Sequence, residues 1–395
     1  MSHKLTSKDR KNNPAAVRII GNIFIVVVLL LTVELFSFVA LRYVIIPKNA
    51  SLIYTQPYID PAVYKSHLEY LHPVLGWATP TAERRYSATA ESRPNPAFPE
   101  TESSCVSIYG DSFTKGSEVN DDEAWGNVLS GLLDCKVANF GIDGYGVDQA
   151  YLRFRLNDRD KSPINVLGIY PYDILRNLNQ YRPFLAGPNA STVALKPRFI
   201  IKDDELELIP IPDYSYAEMV EYTKSPSRKF FPHEAFLPGS EYGSPIMGFP
   251  HTLVLLRFAA SPSMRHFIMR QPSWLDFMKE DHPTEALEIT EKITVSFADL
   301  AYERDHRPLV LIFPTVSSFK NYKRTGTLTT QPLLDALQRN SIAHIDVHQG
   351  ISDYLGERDY CEIMTNPESC FGHFNPEGNR IIAILMKQQI ESLPK

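Results

Sequence analysis

Residues 105–116 read CVSIYGDSFTKG, an apolar run that ends in a glycine, an aspartate and a serine. A short apolar run followed by Gly110 is typical of a buried strand that turns into a helix. In doubly wound sheets the reactive groups collect beyond the carboxyl ends of the strands, so this stretch predicts that Ser112 is presented there. Gly-Asp-Ser alone is a weak signal, because a turn whose Asp111 and Ser112 only cap the next helix has the same sequence.

The same alternation of apolar runs and helical patterns recurs along the chain. The predicted strands are 106–109, 137–140, 166–170, 309–313 and 343–347, and the predicted helices are 124–133, 147–156, 285–302, 332–338 and 376–393. Such alternation predicts βαβ units and a parallel sheet, and therefore the α/β class.

The remaining segments divide the chain into an expected domain plan. Residues 104–395 are predicted to form one domain, because the strands resume after residues 174–282 as though one sheet had been interrupted. This insertion is rich in proline and aromatic residues, and a hairpin is predicted over 198–211. Residues 47–103 lack sustained periodicity and are predicted to be an extended lead-in over the globular body.

The composition is that of a globular protein with a large core. The 395 residues are 44% hydrophobic and 22% charged, with 19 Gly and 30 Pro, which excludes collagen, coiled coil and wholesale disorder. Residues 1–18 carry a net charge of +4, so the rest of the chain carries −10 of the overall −6. An acidic body argues against a nucleic-acid partner.

An apolar run from Ile19 to Leu41 is long enough to span a bilayer once, at about 34 Å as a helix. Basic residues cluster before it, so the positive-inside rule places the N-terminus in the cytoplasm. We predict a cytoplasmic tail (1–18), a signal anchor (19–46) in the inner membrane, and a periplasmic or otherwise extracytoplasmic body. A cleaved signal peptide is the rival, but the run is too long and no Ala-x-Ala site follows. Glu34 is predicted to be protonated or to face a membrane-protein partner.

All four cysteines follow this anchor, in a compartment where disulfides persist. Cys105 and Cys135 each directly precede an apolar run, so neighbouring parallel strands would place both at one sheet edge. Cys361 and Cys370 bracket one short loop. We predict a Cys105–Cys135 and a Cys361–Cys370 disulfide. No spacing of histidine and cysteine suggests a metal site, and no cofactor is expected.

Two further segments carry chemistry. Residues 139–146 read NFGIDGYG, and three glycines in six residues leave backbone N–H groups free to face an anion, as an oxyanion hole requires. The spacing is not that of a dinucleotide fingerprint. Residues 373–379 read HFNPEGN, and Asn375-Pro376 favours a helix start that leaves His373 on the preceding loop. His373 has the context of a general base, although a histidine that merely packs there is the alternative.

Taken in order, the three segments resemble the SGNH/GDSL hydrolase superfamily, in particular its membrane-anchored bacterial members. The resemblance runs from about His72 to the last helix and is strongest over 105–182. It implies a flavodoxin-like three-layer α/β/α fold with Ser112 as nucleophile and His373 as its base. It also implies that the Ser112 and Gly144 amides belong to the oxyanion hole, with Gly141 as the second choice for the glycine.

The sequence departs from the family pattern at two positions. Tyr172 stands where an oxyanion-binding Asn is expected, so either another donor such as Asn177 replaces it or that donor is missing. Cys370 stands where the acid that orients the histidine is expected. Either a more distant acid replaces it, or Ser112 and His373 act as a dyad, or the site no longer turns over. The open acids are Asp173, Asp346, Asp353, Asp359 and Glu368, and Asp111 is a further candidate for a supporting role.

These observations predict a membrane-anchored serine esterase that acts on O-acyl groups. The resemblance suggests acylated surface glycans as substrates, with small esters as the simpler case. An O-acyltransferase of envelope polysaccharide is the alternative within enzymes, because the acyl-enzyme would pass its acyl group to a sugar hydroxyl instead of water. A non-catalytic binding or assembly protein with a degenerate site is the contrasting class.

Overall fold

The computed structural model describes residues 14–77, 91–187, 193–269 and 271–393. Its strands are β1 (Leu71–His72), β2 (Gly76–Trp77), β3 (Ser104–Tyr109), β4 (Lys136–Asn139), β5 (Ile164–Ile169), β6 (Arg198–Lys202), β7 (Glu205–Ile209), β8 (Arg307–Ile312), β9 (His344–Asp346), β10 (Met364–Asn366) and β11 (Phe371–Phe374). Its α-helices are α1 (Pro14–Val39), α2 (Ile46–Lys48), α3 (Pro61–Tyr70), α4 (Ser112–Lys115), α5 (Trp125–Leu133), α6 (Val147–Leu156), α7 (Asp173–Arg176), α8 (Arg182–Ala186), α9 (Tyr216–Lys224), α10 (His251–Ala259), α11 (Pro262–Met269), α12 (Ala286–Glu303), α13 (Val316–Thr325), α14 (Gln331–Arg339), α15 (His348–Leu355) and α16 (Pro376–Ser392).

The centre of the molecule is a parallel sheet of five strands in the order β4-β3-β5-β8-β9. Counted along the chain, these five strands lie in the order 2-1-3-4-5, which is the flavodoxin-like arrangement. The predicted α/β class with a parallel sheet is therefore confirmed. The chain first leaves β3 toward β4 and later returns on the other side of β3 at β5, so the strand order reverses beside β3.

Helices cover both faces of this sheet. Along β8, Leu309 and Leu311 point into one buried cluster, whereas Val310 and Ile312 point into another, as the two-residue period of a strand requires. The first cluster includes side chains of α5 and α16, and the second includes side chains of α6, α12 and α14. The protein therefore has three layers, and both faces of the sheet are removed from water.

The elements predicted for the core lie close to those observed. Helix α6 has the predicted bounds, and the five sheet strands begin and end within two residues of the predicted ones. The predicted hairpin is formed by β6 and β7, and its turn residues Asp203 and Asp204 have φ values of 51° and 66°. The lead-in differs from the extended path predicted for it, because Asp60 caps helix α3, and Pro61 begins that helix.

Both predicted disulfides are present. Cys105–Cys135 joins the start of β3 to the chain just before β4, and Cys361–Cys370 joins the chain just before β10 to the turn just before β11. The first bridge therefore lies at the amino ends of β3 and β4. The second lies near His373, which contacts Ser112 beyond the carboxyl end of β3.

The N-terminal helix is apolar and exposed for most of its length. Helix α1 continues through a π-helical turn, Ala40–Ile45, into α2, and Val17–Lys48 is long and apolar enough by length and composition to cross a membrane.

Candidate active site

Ser112 lies at the carboxyl end of β3, where the strand order reverses. It is the first residue of α4, and Asp111 caps this helix through its Oδ1 atom, which accepts a hydrogen bond from the Phe113 amide at 2.8 Å. The cap fixes the turn after β3 that presents Ser112. Sequence reasoning anticipated this position from the Gly-Asp-Ser turn.

His373 lies on strand β11 and not on a loop as predicted, and it meets Ser112 across 261 residues of sequence. The His373 Nε2 atom is 2.8 Å from the Ser112 Oγ atom, which is a hydrogen-bond distance. The Cys361–Cys370 disulfide ties the turn of the hairpin that carries His373 to the segment before β10, so the hairpin is held by a covalent link as well as by strand pairing.

The carboxylate beside His373 belongs to Glu118, a residue that the sequence analysis did not single out. Glu118 Oε1 lies 3.0 Å from His373 Nδ1, and Glu118 Oε2 accepts hydrogen bonds from the His373 amide and the Thr365 hydroxyl. Partial burial alone would raise the pKa of Glu118, but these contacts outweigh it and hold the pKa below its ordinary value. The available signal was its place six residues after Ser112, on the loop that follows α4.

The acids left open by the sequence analysis are used elsewhere or lie outside this contact. Asp346 pairs with His348 at 2.5 Å, and Asp173 accepts hydrogen bonds from Arg176 at 2.6 Å and from the Tyr170 amide at 3.1 Å. Within the part of the chain that the structure describes, neither these two nor Asp353, Asp359 and Glu368 form an ion pair with His373. Cys370, at the position where the family has its acid, is joined to Cys361.

The cluster of Asp359, Cys361 and Cys370 has the composition of a metal site but not its chemistry. One ligand atom from each residue lies within 4.8 Å of the others. Because both sulfur atoms are joined in the disulfide, neither is available as a thiolate, which is the form of cysteine that binds metal ions.

Of the two glycines considered for anion binding, Gly144 is the one that lines the cavity beside Ser112. Its φ of 79° is in the left-handed region, and a Cβ atom there would lie 2.2 Å from Arg182 Nη1. Gly141 donates its amide to Asn139 Oδ1 at 3.0 Å, so that donor is already used.

The resemblance implies a side-chain donor to the oxyanion after the third core strand, β5. The two residues considered for it, Tyr172 and Asn177, do not line the cavity beside Ser112. Asn177 is fully buried, and its amide group receives a hydrogen bond from the Asp148 amide and donates one to Thr290 Oγ1. The Arg176 guanidinium lies over the Tyr172 ring, with 5.4 Å between the Arg176 Cζ atom and the centre of the ring. Arg176 also binds Asp111 Oδ2 at 3.0 Å, so Asp111 and Asp173 support this arginine.

A cavity of about 560 Å³ opens over Ser112 and His373. Of the described residues that line it, Val119 is apolar, Gly144 has no side chain, and the others are polar or charged. Its charged lining residues are Arg93, Lys115, Glu118, Asp143, Arg176 and Arg182. Burial opposes ionisation of Asp143, but hydrogen bonds from Lys115 and Ser117 outweigh it and hold the pKa of Asp143 below its ordinary value. The cavity therefore presents charged and hydrogen-bonding groups to whatever enters it.

A second arrangement of a serine, a histidine and a carboxylate is formed by Ser318, His348 and Asp346, and it is structural. Ser318 Oγ lies 2.8 Å from His348 Nε2, whose Nδ1 atom pairs with Asp346. Ser318 and His348 are both completely buried, and the Ser318 hydroxyl also bonds the backbone of Thr315 in the cap of α13. A nucleophile without access cannot meet a substrate, so accessibility distinguishes the Ser112 site from this one.

Comparison with known proteins found matches among solved structures. No protein-family model and no curated protein matches the chain. The matching structures include GDSL-family lipolytic proteins and acetylxylan esterases. One is a putative lipolytic protein of the G-D-S-L family from Desulfitobacterium hafniense, with 11% sequence identity over 72% of this chain and 98% of that chain and a TM-score of 0.35. A second is a catalytic mutant of an acetylxylan esterase from Geobacillus stearothermophilus, with 11% identity over 74% of this chain and 95% of that chain and a TM-score of 0.38. A third is a member of the lipolytic G-D-S-L family from Veillonella parvula, with 12% identity over 73% of this chain and 98% of that chain and a TM-score of 0.35. Because these TM-scores are below 0.5, the likeness by itself establishes no activity for this chain.

Proposed function

We propose that this protein is a serine esterase in which Ser112 is the nucleophile, His373 its base, and Glu118 the acid that positions His373. The observation that carries the proposal is the 2.8 Å contact between Ser112 Oγ and His373 Nε2 at the floor of an open cavity. Glu118 beside Nδ1 favours the tautomer that leaves Nε2 free to accept the serine proton.

The reaction follows from these positions. His373 Nε2 takes the proton of Ser112 Oγ as this oxygen attacks the carbonyl carbon of an ester, and the carbonyl oxygen becomes an oxyanion. The Ser112 and Gly144 amides are the donors proposed for that oxyanion. His373 then returns the proton to the leaving alcohol as the carbon–oxygen bond breaks, which leaves an acyl-Ser112. Water, deprotonated by His373, completes hydrolysis; a sugar hydroxyl in its place would complete an acyl transfer.

The substrate class proposed is an O-acylated surface glycan. The polar lining of the cavity suits a sugar with a short acyl group better than a long fatty acyl chain, which needs an apolar channel. The N-terminal helix Val17–Lys48 is proposed to anchor the chain once in the inner membrane, with the N-terminus in the cytoplasm and the α/β domain outside it.

Turnover of p-nitrophenyl acetate by the full-length protein in detergent tests the proposal. Ser112→Ala and His373→Ala should each lose turnover, and Ser112→Ala should also lose labelling by a fluorophosphonate probe. Ser318→Ala is the matched control, because it removes a serine in the same geometry from a buried site. Acylation of Ser112 without turnover would favour an acyltransferase, whereas a wild-type protein that neither turns over nor labels would overturn the enzymatic proposal in favour of a binding protein.

A further inference from the structure

Glu34 of the N-terminal helix is bonded to the first residues of α10, more than 200 residues away. Its Oε1 atom accepts a hydrogen bond from the His251 amide and lies 2.8 Å from His251 Nδ1. Its Oε2 atom accepts hydrogen bonds from the Thr252 amide at 3.0 Å and from the Thr252 hydroxyl at 2.8 Å. Ser37, one turn further along, lies 3.2 Å from the same hydroxyl.

These contacts satisfy two groups that would each be costly inside a membrane. The first N–H groups of a helix have no partner within the helix, and hydrocarbon offers them no water. A carboxylate in a spanning helix is equally costly unless donors surround it. Glu34 and the start of α10 supply each other's partners, and the positive end of the α10 dipole also favours the negative charge.

Helix α10 then follows the N-terminal helix toward the globular domain. Val254 and Phe258 of α10 are buried in a small cluster with Leu41 and Ile53. The hydrocarbon core of a bilayer is about 30 Å thick, which a helix crosses in about 20 residues at 1.5 Å per residue. If the spanning part begins at Ile19, it therefore ends at Phe38. Glu34 then lies about 6 Å inside the outer boundary of the hydrocarbon, and the start of α10 lies at the same depth.

The outward surface of α10 and its neighbours carries several large apolar side chains. Phe249 is 81% exposed, Leu256 61% and Ile268 70%, and Leu253 and Met269 are also exposed. Exposed Tyr43 and Arg42 on the N-terminal helix, and exposed Arg257 on α10, are the aromatic and basic residues that favour a lipid headgroup region. Exposed apolar side chains beside a spanning helix match the acyl chains next to that helix.

We propose that residues 246–269 insert into the outer leaflet beside the N-terminal anchor, with Glu34 holding the inserted end of α10. The occupant of the apolar surface is lipid, because the surface is continuous with the helix proposed to span the membrane. The inference rests on the proposed anchoring and not on the esterase activity. It makes the membrane attachment a two-point contact, which fixes how the α/β domain is oriented on the bilayer.

Fluorescence quenching in vesicles tests the insertion with the full-length protein. Three single variants are each reconstituted in vesicles of phosphatidylethanolamine and phosphatidylglycerol that contain lipid brominated in its acyl chains. They are Phe249→Trp, Phe24→Trp on the N-terminal helix, and Phe371→Trp on the α/β domain. The wild type, with its three native tryptophans, supplies the background. Phe249→Trp should lose emission nearly as strongly as Phe24→Trp, with a blue-shifted maximum, whereas Phe371→Trp should not.

The three positions separate the outcomes. Quenching of Phe24→Trp without quenching of Phe249→Trp would overturn the insertion while leaving the anchor in place, and would favour a protein partner on this surface. Quenching of neither would overturn the anchoring and the insertion together. Adding Glu34→Leu should reduce the quenching of Phe249→Trp, whereas the matched Thr32→Leu, whose hydroxyl bonds only within its own helix, should not. Equal quenching in both would overturn the role of Glu34. Ester turnover is not a readout of either experiment.

Discussion

Glu118 Oε1 lies 3.0 Å from His373 Nδ1, although the two residues are 255 positions apart in the sequence. The other oxygen of the same carboxylate accepts a hydrogen bond from the His373 backbone amide at 3.2 Å. One side chain therefore contacts both the ring and the backbone of the histidine. Cys370, at the place of the acid in the resembling family, is joined to Cys361, so the acid proposed for this protein is Glu118, from the loop that follows Ser112.

Glu118→Gln should lower kcat/KM by about 10²- to 10⁴-fold, because an amide beside Nδ1 neither favours the needed tautomer nor stabilises the imidazolium. The loss should lie mainly in kcat, because Glu118 contacts the base and not the substrate. Asp122→Asn, which removes an exposed acid from the same region, should leave the rate unchanged. Equal losses in both variants would exclude this role for Glu118.

Gly144→Ala should lower kcat by about 10²- to 10³-fold, the usual cost of one oxyanion donor. Its φ of 79° disfavours alanine, and the new Cβ atom would meet the Arg182 guanidinium, so the amide must turn. Gly326→Ala is the control, because Gly326 has a similar φ of 70° with nothing within 4 Å of its would-be Cβ atom. Steady-state kinetics that show equal losses in both variants would exclude a donor role for Gly144.

The two disulfides should differ in what their removal does. In the chain-entropy account, Cys361–Cys370 contributes about 2–3 kcal/mol, and Cys105–Cys135, which closes a longer loop, about 3–4 kcal/mol. Cys361→Ala/Cys370→Ala should lower kcat at a temperature well below melting, because it frees the hairpin that carries His373. Cys105→Ala/Cys135→Ala should lower the melting temperature more and leave kcat near that of the wild type. The reverse order of kcat values would mean that the hairpin does not need its bridge.

Asp173 should make the protein less stable as pH rises. Burial and the neighbouring charge of Asp111 raise the pKa of Asp173 well above its ordinary value, despite Arg176. Above about pH 4, the unfolded state has released a proton that the folded state still holds, so the free energy of unfolding falls by up to about 1.4 kcal/mol per pH unit until the raised pKa is reached. Denaturation of Asp173→Asn across this range should show a flatter dependence, and the exposed control Asp122→Asn should keep the wild-type slope.

Much of the fold was predictable because its signals are local. The β3 run ends at the Gly110-Asp111-Ser112 turn, and α6 begins and ends at the predicted residues. The disulfide partners followed from the same reasoning, since parallel neighbouring strands bring their first residues together. Helix α3 was not predicted in the lead-in. Its start signal is the pair Asp60-Pro61 alone, and the surrounding composition is typical of loops.

The site was predictable only where a residue has a motif of its own. Ser112 and His373 each have one, and the structure brings them together. Glu118 has none, and it reaches His373 because the loop after α4 folds back against the β10–β11 hairpin. Glu34 could be recognised as unusual, but its partners at the start of α10 could not, since no pattern in the sequence relates the two segments.

The sequence by itself therefore determined the five strands of the central sheet, helices α5, α6, α12, α14 and α16, the position of Ser112 at a strand end, the disulfide pairs and the apolar N-terminal helix. Hydrophobic period, turn residues and cysteine spacing are encoded over a few neighbouring residues. Only the tertiary structure decided which carboxylate lies beside His373, which of the two serine–histidine–carboxylate arrangements lines a cavity, and what surrounds Glu34. Those are properties of distance and burial between segments far apart in the chain, and they arise only when the sheet, its insertion and the N-terminal helix pack together.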